Sequence, residues 1–237
     1  MKMQRRTFFQ TTLALSPLVF HGFSMPVIDN SSEVINSGVS GNNTIDLLAR
    51  FEKDCLAHQP DLTILMVGTN DMNSRKFVPL PDYEHNMRTM IEQILKIKSR
   101  ILLLPLLPVY EPYLLTRHKP EFYQPEGHAG RKKVMNNLIQ QLASEYKLSF
   151  LNLHHIFEKI GNVGLDASSF IKNEANSQKT DGLHPTSAGY KAMAIAIYQY
   201  ITDQNLPHKK VVCFGDSITI GDGDQNYPTF LKSLLNS

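Results

Sequence analysis

From Glu33 onward, short apolar runs alternate with stretches in which apolar positions recur every three or four residues. Continuous apolar runs belong to strands covered on both faces, and the longer period belongs to helices packed along one stripe. Their alternation predicts an α/β sheet with crossover helices. The runs are EVIN at 33, LTILMVG at 62, RILLLPLLPV at 100, SFLNL at 149 and KKVVCFGD at 209. One inward stripe is expected from Ile45, Leu48, Ala49 and Leu56, a second from Met87, Met90, Ile91, Ile94 and Leu95, and a third from Val134, Leu138, Ile139 and Leu142. A fourth helix is expected from an N-cap at Thr186, with Tyr190, Met193, Ala194, Ile197, Tyr198 and Ile201 inward. A fifth starts at Tyr227 with Pro228 near its first position.

Residues 106–130 break the pattern: four prolines and three tyrosines interrupt any helical period. A long irregular connection in a compact domain is usually functional, so it is expected to contact substrate, against the alternative of a plain insertion.

Composition narrows the class. The 237 residues are 42% hydrophobic and 19% charged, as in a soluble globular protein. Lys2, Arg5 and Arg6 precede an apolar stretch from Leu13 to Phe20 that is too short to span a bilayer. Residues 1–24 therefore read as an export signal, resembling the twin-arginine type, ahead of one domain over 25–237. The protein is expected to be exported, periplasmic or secreted, with no stable membrane insertion once the signal is removed. Outside that segment 21 basic residues stand against 22 acidic ones, which gives no footprint for nucleic acid. Cys55 and Cys213 form no metal-ligand spacing and read as buried thiols, with pairing between them the alternative.

In a parallel α/β sheet, ligands bind beyond the carboxyl ends of the strands, so the turns there carry the chemistry. They read NSGVSGNNT after the first strand, GTND after the second and GDSIT after the last. Ser217 is a nucleophile candidate, but a hydroxyl needs a base, and the base needs a partner that fixes its tautomer. DGLHP supplies both, with His184 as base and Asp181 as its orienting carboxylate. An oxyanion needs preorganised donors, available from the Ser217 backbone N–H, the Gly41 backbone N–H and the Asn70 side-chain amide. Each turn alone also reads as ordinary turn or cap chemistry.

Taken together, FGDSIT, SGVSGNNT, VGTND and DGLHP resemble the four blocks of the SGNH hydrolases, the GDSL esterase and lipase family. The resemblance implies Ser217, His184 and Asp181 as catalytic residues, with Ser217, Gly41 and Asn70 as the oxyanion hole. Gly41 is preferred to Gly38 because it lies in the SGNNT unit, and Asn42 stands where the family often has aspartate. It implies no metal and no cofactor. His154 and His155 are adjacent and read as structural residues near a strand end. The absence of a GxSxG elbow argues against the ordinary α/β-hydrolase fold.

The family normally opens with its serine block, whereas this chain closes with it, an order that looks circularly permuted. The implied fold is a three-layer flavodoxin-like sandwich with a five-stranded parallel sheet of order 1-5-2-3-4. The implied activity is hydrolysis of oxygen esters through an acyl-serine, with a small-molecule or glycan ester as substrate and carbohydrate O-acetyl groups favoured. A lysophospholipase or thioesterase and a non-catalytic glycan-binding module are the alternatives. Acyl transfer to another sugar would use the same residues, and nothing in the sequence bears on oligomeric state.

Overall fold

The computed structural model describes residues 31–237, so the export segment expected over residues 1–24 lies outside the described residues. Five strands, β1 (Glu33–Gly38), β2 (Leu62–Met66), β3 (Arg100–Leu103), β4 (Ser149–Phe150) and β5 (Lys210–Gly215), form one parallel sheet in the order β1-β5-β2-β3-β4. This is the expected 1-5-2-3-4. The last strand occupies the slot between the first two, with Gly215 level with Gly38 on one side and Met66 on the other. That register brings the ends of β1, β5 and β2 to one line, so the turns that follow them open on the same edge.

The helices are α1 (Thr44–Ala49), α2 (Phe51–Asp54), α3 (Leu80–Lys96), α4 (Glu111–Leu114), α5 (Gly127–Glu145), α6 (Leu153–Ile160), α7 (Glu174–Ser177), α8 (Ser187–Asp203), α9 (Ser217–Ile220) and α10 (Tyr227–Leu235). They cover both faces of the sheet. Because side chains alternate along a strand, each apolar run feeds two cores. Leu65, Ile101, Leu103, Val212 and Phe214 pack with α1, α2, α3 and α5. Leu62, Ile64, Leu102, Val211 and Cys213 pack with α6, α8 and α10.

The helix starts follow from local chemistry. Thr186 caps α8 by accepting the Gly189 N–H at 3.1 Å, and Asn226 caps α10 through the Thr229 N–H at 2.7 Å. Tyr190, Met193, Ala194, Ile197 and Ile201 of α8 are buried as expected, while Tyr198 is half-buried. Fully burying an aliphatic side chain of this size stabilises by about 1.5–3 kcal/mol, so one such stripe suffices to dock the helix.

Several expectations are corrected. Ile45 and Ala49 face solvent, because the first helix stops at Arg50 and restarts; the inward stripe is Thr44, Leu47, Phe51 and Cys55. Leu95 and Val134 also lie at exposed edges of their stripes. The run at 100 forms a ladder only to Leu103, since Pro105 and Pro108 have no N–H to donate. Residues 151–153 leave β4 for α6, capped by Asn152, so His154 and His155 sit on a helix rather than beside a strand end. Residues 106–130 contain α4, a 3-10 turn over Pro120–Tyr123 and the start of α5. Cys55 and Cys213 are free and buried, and burial pushes both thiols up to about 12.

One contact sets how closely α9 approaches β1. A Cβ on Gly38 would stand 2.2 Å from the Ile220 backbone nitrogen, so only glycine fits. Gly38→Ala is expected to lower stability by about 1–3 kcal/mol through overpacking, whereas Gly164→Ala, with open space around it, stays within about 0.5 kcal/mol of the parent. Urea midpoints of the two variants test the contrast.

Candidate active site

Ser217 is the first residue of α9, where β5 ends and the chain turns into a short helix. Asp216 caps that helix, its Oδ1 accepting the Ile218 N–H at 2.9 Å. The Ser217 N–H has no partner within the helix, as for any first helical residue. The hydroxyl is half-buried, and its Oγ lies 3.0 Å from His184 Nε2.

His184 comes from the turn before α8. Its Nδ1 lies 2.9 Å from Asp181 Oδ2, and Asp181 Oδ1 accepts the backbone N–H groups of Leu183 at 2.8 Å and His184 at 2.7 Å. Burial alone pushes the Asp181 carboxyl upward. The hydrogen bond and charge of His184, with the two amides, outweigh that and hold it well below the usual carboxylate range. An ionised Asp181 only accepts, so the proton between it and His184 sits on Nδ1 and leaves Nε2 to accept from the Ser217 hydroxyl. The structure thus brings together the three residues that the sequence singled out.

Gly41 and Asn70 stand at the ends of β1 and β2. Gly41 has φ +76°, a left-handed conformation that favours glycine, and the space where a Cβ would project is open. Gly38, by contrast, is filled on that side by α9. Asn70 Nδ2 donates to the Asn42 carbonyl at 2.9 Å, and its Oδ1 accepts from Asn73 Nδ2 at 3.2 Å. The second bond fixes which way the amide points and leaves one N–H of Nδ2 uncommitted. Below it, Asp71 is fully buried and its Oδ1 accepts the Thr44 N–H at 2.9 Å, which ties the Asn70 turn to the start of α1. Burial pushes the Asp71 and Asp216 carboxyls up to about 6.

Arg50 was not foreseen. Its Nε donates to Asn42 Oδ1 at 2.7 Å, Nη1 to the Ser37 carbonyl at 3.0 Å and Nη2 to the Gly215 carbonyl at 2.9 Å, while the guanidinium lies over the Phe214 ring. One side chain therefore joins the glycine turn, the end of β1 and the strand that presents Ser217. No local signal marked it, because its partner Gly215 lies 165 positions further along the chain. Arg117 is a second unforeseen residue: it donates to the carbonyls of Thr180 and Asp181 at 2.9 and 2.6 Å and braces the turn that holds Asp181 and His184 from the 106–130 connection. His154 and His155 stay out of the site; His154 Nδ1 is 2.7 Å from the Leu106 carbonyl. Among the described residues no cluster of three His, Cys, Asp or Glu side chains is placed to hold a metal ion.

A family model described as the GDSL-like lipase/acylhydrolase family matches residues 22–192, well over half of the chain, and stops before β5. The chain is similar to an acetylxylan esterase of Geobacillus stearothermophilus, 27% identical over 177 residues and 71% of each chain. It is also similar to the uncharacterized lipoprotein YqeF of Bacillus subtilis (strain 168), 22% identical over 183 residues and 72% of each chain. Among solved structures it is similar to a GDSL-like lipase from Bacteroides thetaiotaomicron VPI-5482, with TM-score 0.53 and 26% identity, covering 70% of this chain and 74% of that one.

Two outcomes follow from this geometry. Arg50→Lys keeps the charge but loses the planar fork that reaches an amide and two carbonyls. It is expected to lower kcat by about 10- to 100-fold with little change in KM, since small misplacements of reacting groups cost rates of that order; steady-state kinetics on a small chromogenic acetate ester provide the check. Asp216, whose carboxyl folds with its pKa raised from 3.8 to about 6, holds its proton more tightly in the folded state. Its contribution to stability is full below about pH 4 and is withdrawn as pH rises to about 6. Asp216→Asn keeps an acceptor for the Ile218 N–H, so a series of urea midpoints across that window is expected to decline less steeply than in the parent.

Proposed function

Because the chain belongs to the GDSL-like lipase/acylhydrolase family, we propose that it is a serine esterase acting through an acyl-serine intermediate, with O-acetyl groups on carbohydrate as its substrate. The observation that carries this reading is the continuous line from Asp181 through His184 to Ser217, with contacts of 2.9 and 3.0 Å. The likeness to an acetylxylan esterase supports the carbohydrate acetate.

In this reading Ser217 Oγ attacks the acyl carbon as His184 Nε2 takes its proton, and Asp181 stabilises the imidazolium that forms. The oxyanion is met by the N–H groups of Ser217 and Gly41 and by the Asn70 amide, each such donor worth about 2.7–4 kcal/mol in the barrier. As the tetrahedral intermediate collapses, its C–O bond to the sugar breaks and His184 gives the proton to the departing sugar oxygen, leaving the acyl-serine. Water, deprotonated by the same nitrogen, attacks the acyl carbon; the bond to Oγ breaks, Ser217 takes the proton back from His184, and acetate is released.

The block order belongs to the same proposal: the fold is a circular permutation in which the serine block closes the chain. Three observations support it. Strand β5 lies between β1 and β2; the family match ends before β5; and Asn236, the cap at the end of α10, is bonded to Ser32 just before β1 through Ser32 N–H to Oδ1 at 2.7 Å and Nδ2 to the Ser32 carbonyl at 3.0 Å. The last contact holds together, without a peptide connection, two elements that a serine-first order would join in sequence. Export, with residues 1–24 as signal and one catalytic domain after it, completes the proposal; the Arg5–Arg6 segment and the likeness to a lipoprotein support it.

A longer acyl group is the second reading. An apolar cleft of about 350 Å³ beyond the Asn70 turn, lined by Met72, Phe77, Val78, Leu80 and Met135, favours it. An ester panel on purified protein separates the two, with acetyl esters expected to be turned over at least tenfold faster than long-chain ones and a reversed preference overturning the acetate reading. Ser217→Ala is expected to abolish turnover while circular dichroism stays unchanged; residual hydrolysis at the parent rate would remove Ser217 from its role.

A further inference from the structure

Beyond β3 and β4, on the same edge of the sheet as Ser217, lies a second cleft of about 550 Å³. It is lined by Pro105 and Pro108, by Lys132 of α5, and by Asn152, His154 and Glu158 of α6 and its cap. Lys132 is only 9% exposed, and its ammonium makes no hydrogen bond or ion pair with any described residue. Burial draws its pKa down against the pull of Glu111 and Glu158. Those carboxylates have other partners: Glu111 lies 2.8 Å from His128 Nδ1, and Glu158 lies 3.3 Å from His154 Nε2. The stem of the side chain is buried along the wall while its nitrogen keeps contact with solvent in the cleft. Three N–H donors are therefore held ready at the wall of a cleft.

The chemistry of the lining selects the ligand. Lys132 and Lys133 stand against Glu111 and Glu158, with amides from Asn137 and Asn152 among them. An anion would face two carboxylates, and a cation would face two ammonium groups. A neutral, hydroxyl-rich molecule suits both, because each hydroxyl donates and accepts, while the proline rings offer apolar surface to its C–H faces. The cleft also borders the acid–base turn: Val109 and Glu111 line it, and Tyr110 between them donates its N–H to the Gly182 carbonyl at 2.8 Å, in the turn that carries Asp181 and His184.

We propose that this cleft is a saccharide subsite in which Lys132 anchors an unesterified sugar unit while the esterified unit of the same chain lies at Ser217. The inference rests on the carbohydrate-esterase reading. The test compares p-nitrophenyl acetate with acetylated xylotetraose for the parent, Lys132→Met and Gln140→Trp; Gln140 is exposed at the mouth of the cleft, so the bulky variant blocks it without touching the core. Both variants are expected to raise KM for acetylated xylotetraose tenfold or more and to leave both constants for p-nitrophenyl acetate within twofold. If the parent hydrolyses p-nitrophenyl acetate but releases no acetate from the oligosaccharide, the carbohydrate reading fails and the subsite with it. If it releases acetate and neither variant moves KM, the subsite alone is overturned. An unchanged KM with a lowered melting temperature in Lys132→Met would assign the lysine to folding instead.

Discussion

Everything at the active edge depends on one constraint: β5 must slot between β1 and β2 in a single parallel register. With Gly215 level with Gly38 and Met66, the three turns that carry Ser217, Gly41 and Asn70 emerge side by side. A slip of one residue along β5 would turn Val212 and Phe214 from one core to the other and carry Ser217 out of line with His184. Apolar alternation on two faces makes such a slip costly. The fine alignment is set by polar contacts at the strand ends, above all the Arg50 fork between Asn42, Ser37 and Gly215.

The site is thus a hydrogen-bonded chain rather than a set of independent residues. Asn70 reaches Asn42, Asn42 holds Arg50, Arg50 holds Gly215, and two residues on stands Ser217. On the other side the Asp181–His184 turn is braced by Arg117 and Tyr110 from the 106–130 connection. Preorganisation of this kind matters because groups aimed beforehand at a developing charge need no rearrangement at the moment of reaction. The buried carboxyls of Asp71 and Asp216 are part of the same design, each ordering a turn through backbone N–H groups at a cost in burial.

How much of this was legible follows physical lines. Strand positions and the residues after them were readable, because continuous apolar runs and the small polar turns ending them are local signals. The sheet order was readable only by combining the block order with the family's ordinary arrangement. What escaped depends on contacts distant in sequence. Arg50 shows its purpose only when Gly215, 165 positions away, is in place. The break of the first helix at Arg50 moved Ile45 outward, and α6 was hidden because LNL continues an apolar run until Asn152 caps a helix. Lys132 carried no signal in the sequence, and its low exposure shows only in the fold.

The position of the serine block also bears on how the fold is closed. Ser32, just before β1, and Asn236, at the end of α10, are joined by two hydrogen bonds, each worth about 0.5–1.5 kcal/mol net. The connection from α8 to β5, residues 204–209, is short and ordered: Leu206 N–H returns to the Ile201 carbonyl at 2.9 Å, and Asp61 Oδ2 accepts the Lys210 N–H at 2.8 Å as β5 begins. Because loop-closure entropy grows only slowly with loop length, the proposed permutation, which moves the break from one surface connection to another, changes stability little where the elements it separates are neighbours, as β1 and α10 are. The cost falls on kinetics instead. With β5 last, an interior strand of the sheet pairs with β1 and β2 far back in the chain, and contacts of that span slow folding because long loops must close first.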